Sequence, residues 1–227
     1  MRFTFLSLFP NIINDYFKYS ILKRAIDNGL IKIDSKDLRK FGKDNRVDSY
    51  QIGGGAGVVI SSEVIINAIS SLNIRNSHII YLTPCAKLFN FKDAKRISNY
   101  EHVTFICGRY EGIDERVVEK VVDEVFSIGN YIITGGELAS LILCDCISRY
   151  IPNVLGNESS LIEESFEKNI LEAPVFTKKL SESGIENSNY PSEYSKGNHI
   201  RISALKRELS LRKTKYFRPD MLEDNLI

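Results

Sequence analysis

The chain has 227 residues, 43% of them hydrophobic and 26% charged, with a formal net charge of +1. That balance excludes a disordered chain or a coiled coil and allows one sizeable core or two unequal domains. No apolar run approaches the ~18 residues of a membrane span. The opening Phe3–Phe9 run leads directly into Pro10-Asn11 with no small-residue cleavage site, so it reads as the buried first strand of a cytoplasmic protein.

In chain order, Phe3–Phe9 is predicted as a strand and Pro10 as the start of a helix. A second helix is predicted over Ile21–Asn28, stopped by Gly29. Ser62 is placed to cap a helix whose apolar set Val64, Ile65, Ala68, Ile69 and Leu72 repeats at three and four. His78–Leu82 and Val103–Cys107 read as strands, Asp114–Val122 as a helix, Val125–Ile128 and Tyr131–Ile133 as strands, and Leu138–Tyr150 as a long buried helix. The alternation predicts an α/β fold with a mostly parallel sheet and helices on both faces. Beyond Pro152, Gly156–Glu167 is polar and acidic like a linker, and the remainder is helical in pattern, notably Arg201–Thr214.

The near-neutral total conceals segregation. Lys196–Arg218 holds eight bases and one acid, whereas Glu158–Glu172 holds five acids and one base, so a polyanion would meet a local basic surface. Cys85, Cys107, Cys144 and Cys146 form no CxxC pair, and on a helix Cys144 and Cys146 diverge by about 200°. With His78, His102 and His199 far apart, no zinc site is predicted, and the cysteines read as thiols in a reducing compartment.

Three glycine-rich stretches are candidates for chemistry: Gly53-Gly54-Gly55-Ala56-Gly57, Gly108-Arg109-Tyr110-Glu111-Gly112 and Gly135-Gly136. None is a GxGxxG or Walker A loop, which argues against a dinucleotide oxidoreductase or a nucleoside triphosphatase. Two of them leave the carboxyl ends of predicted strands, where open α/β sheets bind ligands. Asp114 and Glu115 suit the first turn of a helix, but Arg109, Tyr110 and Glu111 have no such local use.

The run CGRYEGIDERV, followed by SIGNYIITGGEL and SRYIPNVLGNESS, resembles the signature of the TrmD family of tRNA (guanine-N1)-methyltransferases. LSLFP, GGGAG, IIYLTP, GNH and FRPDML match in family order across nearly the whole chain. The resemblance implies a SPOUT-type parallel sheet with a deep trefoil knot, plus a small helical C-terminal domain. Its divisions would be a methyltransferase domain over 1–156, a linker over 157–170 and a tRNA-binding domain over 171–227.

It further implies S-adenosylmethionine bound by Tyr81, Leu82, Thr83, Pro84, Gly108, Tyr110, Glu111, Ile128, Gly129, Asn130, Tyr131, Ile132, Ile133, Gly135 and Gly136. The substrate would be tRNA methylated at N1 of guanosine 37, in a homodimer with its active site at the subunit interface, helped by Mg²⁺. Methylation at N1 requires removal of its proton by a carboxylate, and charge developing on O6 calls for a cation. By motif position these are Glu164, where the family has Asp, and Arg149. The longer side chain carries the base one methylene further out, and a displacement of about 1 Å can cost on the order of 100-fold. A tRNA-binding protein of the same fold with weakened catalysis is the alternative. Arg201, Lys206, Arg207, Arg212, Lys213 and Arg218 would contact tRNA phosphates.

Overall fold

A computed structural model describes residues 1–72, 77–157, 164–177 and 190–223. The chain divides into two compact units, Met1–Gly156 and Asn157–Ile227.

The first unit is built on five parallel strands: β1 (Arg2–Ser7), β2 (Lys32–Asp37), β5 (His78–Leu82), β6 (His102–Ile106) and β7 (Glu124–Phe126), in the order β2-β1-β6-β5-β7. Phe3 pairs with Ile33 on one side and Val103 on the other, and Ile80 pairs with Phe105 and Glu124. Because successive side chains alternate across a sheet, each strand supplies two separate cores. Phe3, Phe5, Ile80, Leu82, Val103, Phe105 and Phe126 face one side. There they meet α1 (Pro10–Tyr16), α2 (Ser20–Asp27), α4 (Phe91–Ile97) and α6 (Gly136–Ser148). Leu6, Ile79, Tyr81 and Ile106 face the other side, against α3 (Ser62–Ser70) and α5 (Glu115–Val121). Helices therefore cover both faces, as the alternation of elements predicts. Phe105 is the hub of the first core, with ring centroids 6.2 Å from Phe3 and 5.2 Å from Phe5.

Several local expectations change. The edge strand β2 reads KIDSKD and is half-exposed for most of its length, so it lacks the apolar run that marks the central strands. Ser61, not Ser62, occupies the cap position of α3. Helix α4 was open to prediction from a capping box: the Asn90 side chain accepts from the Lys92 and Asp93 amides, while Asp93 accepts from the Asn90 amide. Tyr131–Ile133 is not a strand. Its side chains are exposed (57%, 86% and 37%) and no neighbouring strand pairs with it. The GGGAG stretch closes an antiparallel hairpin between β3 (Asp48–Tyr50) and β4 (Val58–Ile60), with Gly53, Gly54, Gly55 and Gly57 all at positive φ.

In the second unit, α7 (His199–Phe217) is longer than the predicted Arg201–Thr214 and is capped by the Asn198 side chain on the Arg201 amide. A short helix, α8 (Asp220–Glu223), follows. Thr214 is fully buried; its hydroxyl donates to the Ser210 carbonyl and accepts from the Leu171 amide, fixing the extended 171–177 segment to α7. Of the acidic stretch read as a linker, residues 158–163 lie outside the described residues.

Emptying the hub tests the packing account. Phe105→Ala is expected to lower unfolding free energy by about 3–5 kcal/mol, read as a reduced urea midpoint with an unchanged slope.

Candidate active site

Three loops leave the carboxyl ends of β5, β6 and β7 and converge on one cleft of about 270 Å³. Backbone hydrogen bonds tie them together. The Thr83 amide donates to the Phe126 carbonyl (3.0 Å), Ser127 to Lys87 (2.8 Å), and Gly136 to Gly108 (2.8 Å). Side chains do not set these distances, so the glycines are needed where backbones touch. A Cβ on Gly136 would fall 2.8 Å from the Gly108 nitrogen and 2.9 Å from the Cys107 Cα. Gly108 in turn lies against the Tyr81 ring, 3.1 Å from where its own Cβ would be. Tyr81 is 8% exposed, and burial raises its phenol above the usual range.

The cleft gathers Tyr81, Leu82, Thr83, Pro84, Gly108, Tyr110, Glu111, Ile128, Tyr131, Ile132, Ile133, Gly135 and Gly136 from the predicted set. Gly129 and Asn130 are not on its wall. Gly129 lies behind the Tyr131 ring, where a Cβ would fall 2.1 Å from a ring carbon. Glu111 is held by its amide to the Val58 carbonyl at 3.1 Å. Arg109, within the 108–112 stretch singled out in the sequence, is also on the wall, and residues not anticipated there include Cys85, Ser127 and Thr134.

Arg109 and Glu137 have a role that no local spacing could reveal, because they are 28 residues apart. The Arg109 Nε donates to Glu137 Oε2 at 2.9 Å and its Nη1 to the Thr134 carbonyl at 3.0 Å. Ser7 Oγ, at the end of β1, donates to Glu137 Oε1 at 2.7 Å, and the Phe9 amide donates to Ser7 Oγ. The guanidinium also lies over the Phe9 ring, 4.6 Å from its centroid. Glu137 is 1% exposed. A carboxylate this buried is tolerated because both oxygens are satisfied.

The remaining candidates are Arg149 in the first unit and the residues of the second. Arg149 is half-buried at the C-cap of α6, its amide on the Asp145 carbonyl at 3.3 Å, and it is not on the cleft wall. Glu164 belongs to the second unit, on a groove of about 660 Å³ shared with Lys206 and Arg207 and walled by Ile170, Leu171, Leu211 and Leu222. Among the other basic candidates, Arg201, Arg212 and Arg218 are exposed and Lys213 is half-buried. Arg212 pairs with Glu208 and Arg218 with Asp220, and exposed pairs of this kind exchange readily for a phosphate.

Cys107 and Cys144 are buried, and burial pushes both thiols well above the ordinary range. Cys85 is exposed on the cleft wall. Among the described residues, no group of three His, Cys, Asp or Glu side chains is placed to hold a metal ion, and no helix is long and apolar enough to cross a membrane.

An open parallel sheet with a cleft at its carboxyl ends makes the first unit an α/β domain whose concavity lies where such sheets commonly bind ligands. The family model described as tRNA (Guanine-1)-methyltransferase TrmD matches residues 1–224. The chain is 54% identical to the tRNA (guanine-N(1)-)-methyltransferase of Wolinella succinogenes, over 97% of this chain and 94% of that one. It is 53% identical to the enzyme of the same name from Helicobacter hepaticus, over 98% and 93% respectively. The likeness to that of Campylobacter jejuni is 51%, over 97% of both chains. The chain belongs to the TrmD family.

Two measurements check the site. Glu137→Ala strands the Arg109 charge and is expected to cost about 3–5 kcal/mol of stability, with Glu137→Gln losing less; urea unfolding ranks the three proteins. A maleimide is expected to label Cys85 first, and mass spectrometry of the labelled peptides should find Cys107 and Cys144 unmodified until the chain unfolds.

Proposed function

We propose that this chain transfers a methyl group from S-adenosylmethionine to N1 of guanosine 37 in tRNA. The observation that carries this reading is the cleft itself, built by three loops that belong to a chain matched by the TrmD family model over residues 1–224. Its walls suit the cofactor. Backbone amides and carbonyls brought together at Gly108 and Gly136 can bond the edge of an adenine, while Tyr81, Ile128 and Ile133 can enclose its faces. Bound there, S-adenosylmethionine supplies an electrophilic methyl group. The remaining predicted residues Leu82, Thr83, Pro84, Tyr110, Glu111, Tyr131, Ile132 and Gly135 complete the wall, with Gly129 and Asn130 shaping the turn behind it.

The chain's own chemistry falls to two residues. Glu164 takes the N1 proton, which frees a lone pair that the neutral ring otherwise withholds. Arg149 directs its guanidinium to O6, where negative charge collects. Arg201, Lys206, Arg207, Arg212, Lys213 and Arg218 of the second unit hold tRNA phosphates, positioning the RNA without reading its sequence. Mg²⁺ enters only as the helper that the resemblance implies; among the described residues no group of three His, Cys, Asp or Glu side chains is placed to hold it.

The reading includes a trefoil knot, in which the segment leading into α6 passes beneath the 108–112 loop. The Gly136–Gly108 hydrogen bond and the absence of room for a Cβ at Gly136 support that passage. It also includes a cytoplasmic homodimer in which Glu164 of one subunit serves Arg149 of the other. Exposed Phe9 and Ile12 near α1, with Leu138 and Ile142 on α6, support a covered apolar face beside the cleft (41–57% exposed).

Incubation with labelled S-adenosylmethionine and unmodified tRNA should yield N1-methylguanosine. Glu164→Gln is expected to reduce the rate by about 10²–10⁴-fold, and Arg149→Ala by about 10²–10³-fold, with S-adenosylhomocysteine binding retained in both. If tRNA is retained without any product, the chain is a binding protein of this fold; a rate lost in Glu164→Gln and kept or raised in Glu164→Asp assigns the base.

A further inference from the structure

The C-terminal unit is not the chain's sole basic surface. Between Arg39 and Arg46, four bases face one acid, Asp44. This segment begins with a 3-10 turn, Leu38–Phe41, and runs into β3. The Asp37 carboxylate holds Arg39 at 2.9 Å, and Arg39 reaches the Leu8 carbonyl at 3.0 Å. Lys40, Lys43 and Arg46 are instead exposed to solvent, and Arg46 approaches Asp48 no closer than 3.9 Å.

The backbone that presents them is fixed rather than loose. Asp44 and Asn45 are consecutive residues in the left-handed region, with φ of 54° and 60°, a pair that persists only where the surroundings dictate it. Gly42 sits so close to the loop's return that a Cβ would fall 1.9 Å from the Arg46 carbonyl oxygen. Val47 is buried, and its carbonyl accepts from the Ser61 amide at 2.9 Å.

The segment is also joined to the cleft. Its hairpin partner β4 accepts the Glu111 amide at Val58, donates from Ile60 to the Gly112 carbonyl, and accepts the Asp114 amide at Ile60, each at 3.0–3.1 Å. The loop carrying Tyr110 and Glu111 is thus the neighbour of the hairpin. At the hairpin's end Tyr50 is 78% exposed and Ile52 97%, so the Tyr50 ring is open to stacking by a base.

We propose that residues 39–50 form a second RNA-contact surface on the first unit. Lys40, Lys43 and Arg46 hold phosphates of the single-stranded nucleotides flanking the target guanosine, and Tyr50 stacks on one of their bases. The inference rests on the tRNA methyltransferase reading above. Unpaired loop nucleotides fit because their bases are free to stack on a ring while their phosphates track a short basic line.

The test compares wild type with a Lys40→Ala/Lys43→Ala/Arg46→Ala variant and with Tyr50→Ala, by filter binding of unmodified tRNA across a salt series. The triple variant is expected to bind tRNA about 10–100-fold more weakly near 0.1 M salt, with a log–log salt slope shallower by about 2, since each single-stranded phosphate contributes ~0.7. Tyr50→Ala is expected to bind about 5–100-fold more weakly with its slope unchanged. S-adenosylhomocysteine binding and melting temperature should match wild type in both. A triple variant with wild-type affinity and slope overturns the proposal, as does one that loses S-adenosylhomocysteine binding, because the segment would then act through the cleft. A wild-type chain that neither retains nor methylates tRNA overturns the functional reading itself.

Discussion

The point at which α6 begins is where the first unit is most tightly constrained. There the chain returns from β7 and passes so close to the end of β6 that residue 136 has no space for a Cβ, and its amide bonds directly to the Gly108 carbonyl. The next residue, Glu137, buries its carboxylate between Ser7 at the end of β1 and Arg109 in the loop after β6. One helix start therefore registers three segments that are distant in sequence. A buried pair adds little net stability over a well-packed apolar substitute; its value here is that it admits only one arrangement of the loops that wall the cleft. The cation–π contact of Arg109 with Phe9 adds the start of α1 to the same node.

This constraint also distinguishes the two concavities from one another. The groove of the second unit is larger, about 660 Å³ against 270 Å³, but it is walled by side chains of an extended segment and α7. The cleft is walled by loops hydrogen-bonded to one another, which holds its lining in place before a ligand arrives. Pre-set donors and acceptors matter more than volume for a ligand that must be oriented. The groove brings Glu164 together with Lys206 and Arg207 on a wall that also carries Ile170, Leu171, Leu211 and Leu222.

The two units also differ in how they are stabilised. The sheet has a core on each face, and its bulkiest fully buried side chains are Phe3, Phe5, Phe105 and Phe126. The described part of the second unit buries polar Ser210 and Thr214, and the Thr214 hydroxyl does the work of joining segment to helix.

Much of this was legible without coordinates. Apolar runs of five or six residues marked β1, β5 and β6, because strands buried on both faces need them. The spacing of three and four marked α3, and motif order indicated the three site loops. The polar edge strand β2 was invisible since an edge must not look sticky, and Tyr131–Ile133 imitated a strand because exposed aliphatic residues at a ligand wall use the same side chains as a sheet core. By itself, then, the sequence determined the alternating parallel architecture, the family and the loops that carry the glycines. Only the tertiary structure decided which of those loops touch, that Arg109 and Glu137 form their node, and that the hairpin following the basic segment near residue 43 is hydrogen-bonded to the 111–114 loop. Those outcomes depend on contacts across 28 to 130 residues, where local periodicity carries no information.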